Sequence, residues 1–289
     1  MACTRTMVLQ KLVALYGYFY ATLSELAQPV HLVVWDVPLQ LQRHTNYGWR
    51  RDLPDIRDVY HNSTDDLTPS AYDLTSKMPP VYDQGTLGSC TANAIAAALQ
   101  YDELKQGLPS STPSRLFIYY NERVIEGTVS SDSGAMIRDG IKAVNKVGYC
   151  NETLWPYDIS KFSKRPSSSC FDAAKQHKAL VYKRVSQKVE DLKYVLSSGY
   201  PVIFGITVYS SFESESVTKT GNVPLPSKHE SVLGGHAILL VSYDDNTKRF
   251  GFRNSWGEKW GVDGYGRLPY EYVLNPDLAD DFWTLEQVE

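Results

Sequence analysis

The feature that most constrains this chain is a change in apolar spacing near residue 200. Before it, apolar residues recur at helical intervals; after it, they alternate or run continuously. Ser89 precedes a predicted helix from Cys90 to about Gln106, with Ala94, Ala97, Ala98, Tyr101 and Leu104 on one face and Gly107 and Pro109 ending it. Further helices are predicted over Ser114–Glu126, over Ala135–Val147 ahead of Gly148, and over Val189–Ser197 ahead of Gly199 and Pro201. Val202–Tyr209, Ala237–Tyr243, Arg249–Arg253 and Gly264–Leu268 then read as strands, with Asp244-Asp245-Asn246 as a turn. Helices first and strands second predict an α+β fold of two lobes. A chain of 289 residues, 43% hydrophobic, can bury a core of that size.

Residues 1–66 read as an extension preceding a catalytic-sized domain at 67–289. Leu9, Leu12, Val13, Tyr16, Phe19, Tyr20, Leu23 and Leu26 follow a helical period. We read an amphipathic helix packed on protein rather than a cleavable leader. Gln10 and Lys11 edge the apolar run, and Glu25-Leu26-Ala27 is a poor cleavage site. The compartment stays open, secreted or cytoplasmic. Gly48 to Asp55, with its mixed charge and Pro54, reads as extended chain. No run of 18 apolar residues exists, so no membrane-spanning helix is expected.

The charge balance, 29 basic against 33 acidic residues, gives −4 and argues against nucleic-acid backbone binding. Four cysteines are too few for a disulfide scaffold, and no Cys-x-x-Cys or His-x-x-x-His pair offers a metal cage. No metal or organic cofactor is expected. Cys150 and Cys170 share a loop-rich stretch where they could pair, and Cys3 reads as incidental.

Three short stretches carry chemistry. In Gln84-Gly85-Thr86-Leu87-Gly88-Ser89-Cys90, a thiol stands at the first turn of a helix, where the helix dipole favours thiolate. Gln84 brings an amide donor suited to a developing oxyanion. The bland reading is a buried cysteine acting as a small hydrophobe. In Gly234-Gly235-His236-Ala237, a histidine opens an apolar strand; alone, it would more often be structural. In Arg253-Asn254-Ser255-Trp256-Gly257, an asparagine at a strand end is usually a turn former. Here Trp256 would shield an Asn–His hydrogen bond from water.

Taken together, Cys90, then His236, then Asn254, with Gln84 upstream, resemble the papain-like cysteine proteases, in a bacterial branch. The resemblance extends from Pro69 to Gly266. It implies a two-lobe fold, a helical left lobe and a β-barrel-like right lobe with the cleft between them. It also implies hydrolysis of peptide or protein substrates through a thioester. Ser133 and Gly134 stand where the family's substrate-binding glycines lie, and Gly235 and Trp256 complete the expected substrate contacts. The Gly-Gly-His-Ala form is similar to cathepsin B-like members. The usual cysteine upstream of the nucleophile is replaced by Leu87, so its disulfide cannot form. Leu278, Asp280, Asp281, Phe282 and Trp283 are expected near the main specificity pocket, with tolerance of apolar and basic side chains; the bland alternative is a solvated acidic tail. Part of residues 1–50 is expected to cover the cleft as an inhibitory segment. Rival readings are an acyltransferase or transglutaminase-like enzyme, disfavoured by Asn254 in place of Asp, and a catalytically silent binding protein.

Overall fold

A computed structural model describes residues 47–61 and 68–289, which belong to one compact unit, His44–Glu289. The helix expected over residues 9–26 and the apolar stretch 30–41 lie outside the described residues.

In chain order the main elements are β1 (Trp49–Arg50), β2 (Ala71–Asp73), α1 (Cys90–Lys105), α2 (Arg115–Glu126), β3 (Ala135–Met136), α3 (Ile137–Lys146), α4 (Ser168–Ala174) and β4 (Ala179–Arg184). They continue as α5 (Val189–Ser197), β5 (Val202–Tyr209), α6 (Glu215–Thr220), β6 (Val232–Asp244), β7 (Arg249–Arg253), β8 (Tyr265–Pro269), α7 (Tyr270–Leu274) and β9 (Ala279–Val288). The helices α1, α2 and α3 pack together as one lobe. The other is an antiparallel seven-stranded sheet in the order β4-β9-β5-β6-β7-β8, with β2 added on β6. Its ends, β4 and β8, do not pair, so the sheet is open rather than a closed barrel.

The helix α1 is buried all round from Cys90 to Glu103, not on one face, because it runs between α2 and α3 on one side and β6 and β9 on the other. Its alanines let those neighbours approach closely. Leu104, expected on the buried face, is half exposed at the helix end. Ser89 stands at the N-cap but accepts no capping bond; its hydroxyl meets Tyr157 instead, at 2.5 Å. Ser114 does cap α2, accepting from the Phe117 N–H at 3.1 Å. The helix expected from Ala135 begins two residues later, because Ala135 and Met136 pair in parallel with Trp49 and Arg50.

Three strands of the sheet escaped the sequence reading, β2, β4 and β9. The stretch with Asp280 and Asp281 is no solvated tail: β9 lies between β4 and β5, and Asp281, Phe282 and Trp283 are buried. Residues 58–61 run beside β4, where the Arg184 N–H donates to Val59 O at 2.8 Å and the His61 N–H to Arg184 O at 2.7 Å. Cys150 and Cys170 are both buried, free, and close enough to interact.

Candidate active site

Cys90 is the first residue of α1, so its N–H has no acceptor within the helix. The sulfur is fully buried. Burial pushes the thiol up to about 12, against the opposing pull of the backbone N–H groups of Ala237, Gly48 and Thr91. Ala237 follows His236 on β6, so the contact to its backbone brings the histidine and the thiol to one place.

Asn254 reaches His236 because β7 runs antiparallel to β6, with Leu239 opposite Arg253. His236 Nε2 lies 2.8 Å from Asn254 Oδ1. The same oxygen accepts the Ser255 N–H at 2.8 Å, which fixes it as the amide oxygen. Nε2 must therefore carry the hydrogen, leaving Nδ1 for the sulfur. Trp256 lies three residues past Arg253, beyond the end of β7. There the Trp256 ring stacks on the imidazole, centroids 4.9 Å apart. Trp256 thus stacks on the imidazole beside the Asn–His bond.

Gln84 is held by the other lobe. Its N–H donates to Ser255 O at 2.8 Å, and its Oε1 accepts from Ser255 Oγ at 2.6 Å. That bond fixes the amide's orientation. Nε2 donates one hydrogen to Leu87 O at 2.9 Å and keeps a second for an oxyanion. Ser255 stood in the quoted Asn-Ser-Trp motif, yet its orienting role emerges only when the lobes meet.

Gly134 adopts φ 66°, and its N–H donates to the Tyr119 hydroxyl at 3.2 Å. That hydroxyl donates to Asp132, whose carboxylate also accepts the Gly88 N–H at 3.1 Å. Tyr119 and Asp132, which sequence reasoning missed, thus tie the Gly134 rim to the loop before Cys90. No spacing rule would have found them. Ser133 turns its hydroxyl onto Gly134 O at 3.1 Å.

The segment 47–52 runs across this site. Gly48 O accepts the Ala135 N–H at 2.7 Å, and β1 continues in parallel with β3. A Cβ on Gly48 would collide with the Gly88 carbonyl, and one on Gly134 with the Gly48 carbonyl. Three glycines therefore let three backbone stretches meet. Tyr47 sets its ring against His236 and Trp256, centroids 6.4 and 6.3 Å away, and donates its hydroxyl to Glu213. Trp49 packs against Gly205 and Gly235. The Asp52 side chain is buried and accepts from Trp283 Nε1 at 2.9 Å and from the Arg138 N–H at 3.1 Å, while the Asp52 N–H donates to Asp281 at 2.7 Å.

Among the described residues no cluster of three metal-ligating side chains occurs, and no helix is long and apolar enough to cross a membrane.

Comparison with known proteins fits this geometry. A family model for papain family cysteine proteases matches residues 68–275. The chain is 42% identical over 272 residues to an uncharacterised peptidase C1-like protein of Acanthamoeba polyphaga mimivirus, spanning 84% of this chain and 87% of the relative. It is 28% identical over 224 residues to a cathepsin B-like protein of Giardia intestinalis, covering 69% of each. Among solved structures, xylellain, a cysteine protease from Xylella fastidiosa, matches with a TM-score of 0.79 at 45% identity, over 85% of this chain and 97% of xylellain. A procathepsin B of Trypanosoma congolense, at 16% identity and TM-score 0.69 over 84% of this chain and 88% of its own, shares the fold.

Proposed function

Since the chain belongs to the papain family of cysteine proteases, we propose that it cleaves peptide bonds through Cys90, His236, Asn254 and Gln84, and that residues 47–52 hold it closed. The observation that carries the chemical assignment is the fixed His236–Asn254 bond beside a thiol at a helix N-terminus. The Cys90 thiolate attacks the substrate carbonyl carbon, and the carbonyl electron pair moves to oxygen. Gln84 Nε2 and the Cys90 N–H donate to that oxyanion. The intermediate collapses, and the amine leaves with the proton from His236 Nδ1. His236 then takes a proton from water, which attacks the thioester and returns the thiolate. Asn254 keeps the ring oriented through both steps. Gln84→Ala should lower kcat by about 10²-fold, the scale for one lost oxyanion donor. Steady-state kinetics on a fluorogenic peptide measures it, and an unchanged kcat removes Gln84 from the site.

The closed state also suppresses the nucleophile. Burial of the sulfur favours the neutral thiol while the segment is in place. Displacing Gly48 hydrates the sulfur and lets the imidazole stabilise the thiolate.

Closure should depend on pH through Asp52. Its carboxyl is pushed up to about 7, by burial first and then by the neighbouring Asp281 charge, against the donors Trp283 and Arg138. Arg184 lies 3.8 Å away, and Asp58 pairs with Arg184 and Arg138. When the segment leaves, the carboxyl returns towards its ordinary 3.8. The closed state thus binds the proton more tightly. This contribution to closure is full below 3.8 and is lost as pH rises through about 7. Cys90 alkylation rates measured from pH 6 to pH 8.5 should rise more steeply in the wild type than in Asp52→Asn, which keeps a neutral side chain. Thiol ionisation cancels in the ratio of the two rates; a flat ratio excludes Asp52 as the gate.

A further inference from the structure

The Trp49 indole fills a pocket whose walls lack side chains. A Cβ on Gly205 would fall within the indole ring, and one on Gly235 would meet the Trp49 ring and backbone. These glycines sit on adjacent strands, β5 and β6, so the gap is built into the sheet. The floor is Asp281, buried on β9 and held at φ 58°, a backbone conformation that non-glycine residues adopt only when surroundings impose it. Its two oxygens have separate duties. Oδ1 accepts from Arg184 at 2.8 Å, a bond made by the body of the protein. Oδ2 accepts from Trp49 Nε1 at 3.2 Å and from the Asp52 N–H at 2.7 Å, both supplied by the covering segment. Trp49 directly follows Gly48, whose backbone meets the Cys90 sulfur, so this pocket serves the side chain next to the one at the thiol.

We propose that in the open enzyme this pocket selects tryptophan in peptide substrates, with Asp281 Oδ2 accepting the indole N–H and Gly205 and Gly235 giving the ring its room. The inference rests on the reading that residues 47–52 lie in the substrate's path. Phenylalanine fills much of the same space but leaves a buried carboxylate oxygen without a donor, which costs more than the bond itself gains. Arginine would bring a second cation beside Arg184, which pairs with Asp281 at 2.8 Å and also with Asp58 and Asp280.

The test has two arms, both on the full chain. In the first, Trp49→Gly with Cys90→Ser empties the pocket and silences chemistry. Calorimetry then compares 3-methylindole with 3-methylbenzothiophene, the same shape without the N–H. Tighter binding of the indole by about tenfold or more is expected, with the preference lost on adding Asp281→Leu. Should that variant fail to fold, Gly205→Ala, which leaves Asp281 in place, should abolish binding of both probes. Equal binding of the two probes overturns the proposal. In the second arm, Gly48→Val with Trp49→Gly displaces the segment, and cleavage of a peptide library is mapped by mass spectrometry. Tryptophan should be enriched about tenfold or more over phenylalanine and arginine at one fixed position. Enrichment of either rival there overturns the proposal. Indole selectivity without any peptide cleavage would leave the pocket standing and count against the proposed closure or chemistry instead.

Discussion

Replacing Cys90 or His236 with alanine should each reduce kcat by about 10⁵-fold or more, and the double replacement should be little worse than either alone. The reason is geometric. The backbone after His236 touches the Cys90 sulfur, and His236 Nε2 is committed to Asn254, so Nδ1 and the thiol operate as one acid–base pair. Removing either partner removes the ion pair and leaves only the oxyanion donors and substrate binding. Asn254→Ala should cost less, because Trp256 still stacks on the ring and limits its rotation. Single-turnover kinetics on the three variants and the double variant would measure this. Losses that add in full across Cys90 and His236 would show two independent contributions rather than one pair.

The second large effect concerns the covering segment. Gly48→Val should raise kcat/KM of the full chain, by about 10²-fold where closure holds 99% of molecules. Valine at 48 must enter the Gly88 carbonyl, a backbone atom that cannot step aside, while the body of the enzyme is untouched. Substitution is a cleaner probe than truncation near residue 66. Residues 58–61 are bonded along β4, and Asp58 pairs with the buried Arg138, so their loss would expose part of the sheet lobe. Kinetics accompanied by a melting curve would separate release from unfolding. Unchanged kcat/KM in folded Gly48→Val protein would make the segment structural rather than inhibitory.

What the sequence conveyed, and what it withheld, follows the range of the interactions. The strands Val202–Tyr209 and Arg249–Arg253 were legible because they are continuous apolar or alternating runs buried in the sheet. Cys90, His236, Asn254 and Gln84 were singled out by their order along the chain rather than by any one local signal, and β6 begins at Val232, so His236 lies inside the strand rather than opening it. β9 was not, since Ala279-Asp280-Asp281 looks solvated until Arg184, Trp49 and the Asp52 N–H are set against it. The first two residues expected of α3 were lost to a tertiary cause, the pairing of Ala135 and Met136 with Trp49 and Arg50. The Tyr119–Asp132 tie and the orienting role of Ser255 likewise depend on residues far apart in the chain. The extended reading of Gly48 to Asp55 holds at Trp49–Arg50, which pair as β1, but the segment's path past Cys90 depends on three glycines that touch only in the folded chain.

The most direct test of the account is covalent labelling with a peptidyl epoxide, followed by intact mass and peptide mapping, in the wild type, Gly48→Val and Gly48→Val/His236→Ala. The account predicts one adduct per chain, on Cys90, slow in the wild type, accelerated in Gly48→Val and lost when His236 is also replaced. Labelling of Cys150 or Cys170 in preference to Cys90, or labelling of Cys90 at equal rates in all three proteins, would contradict it.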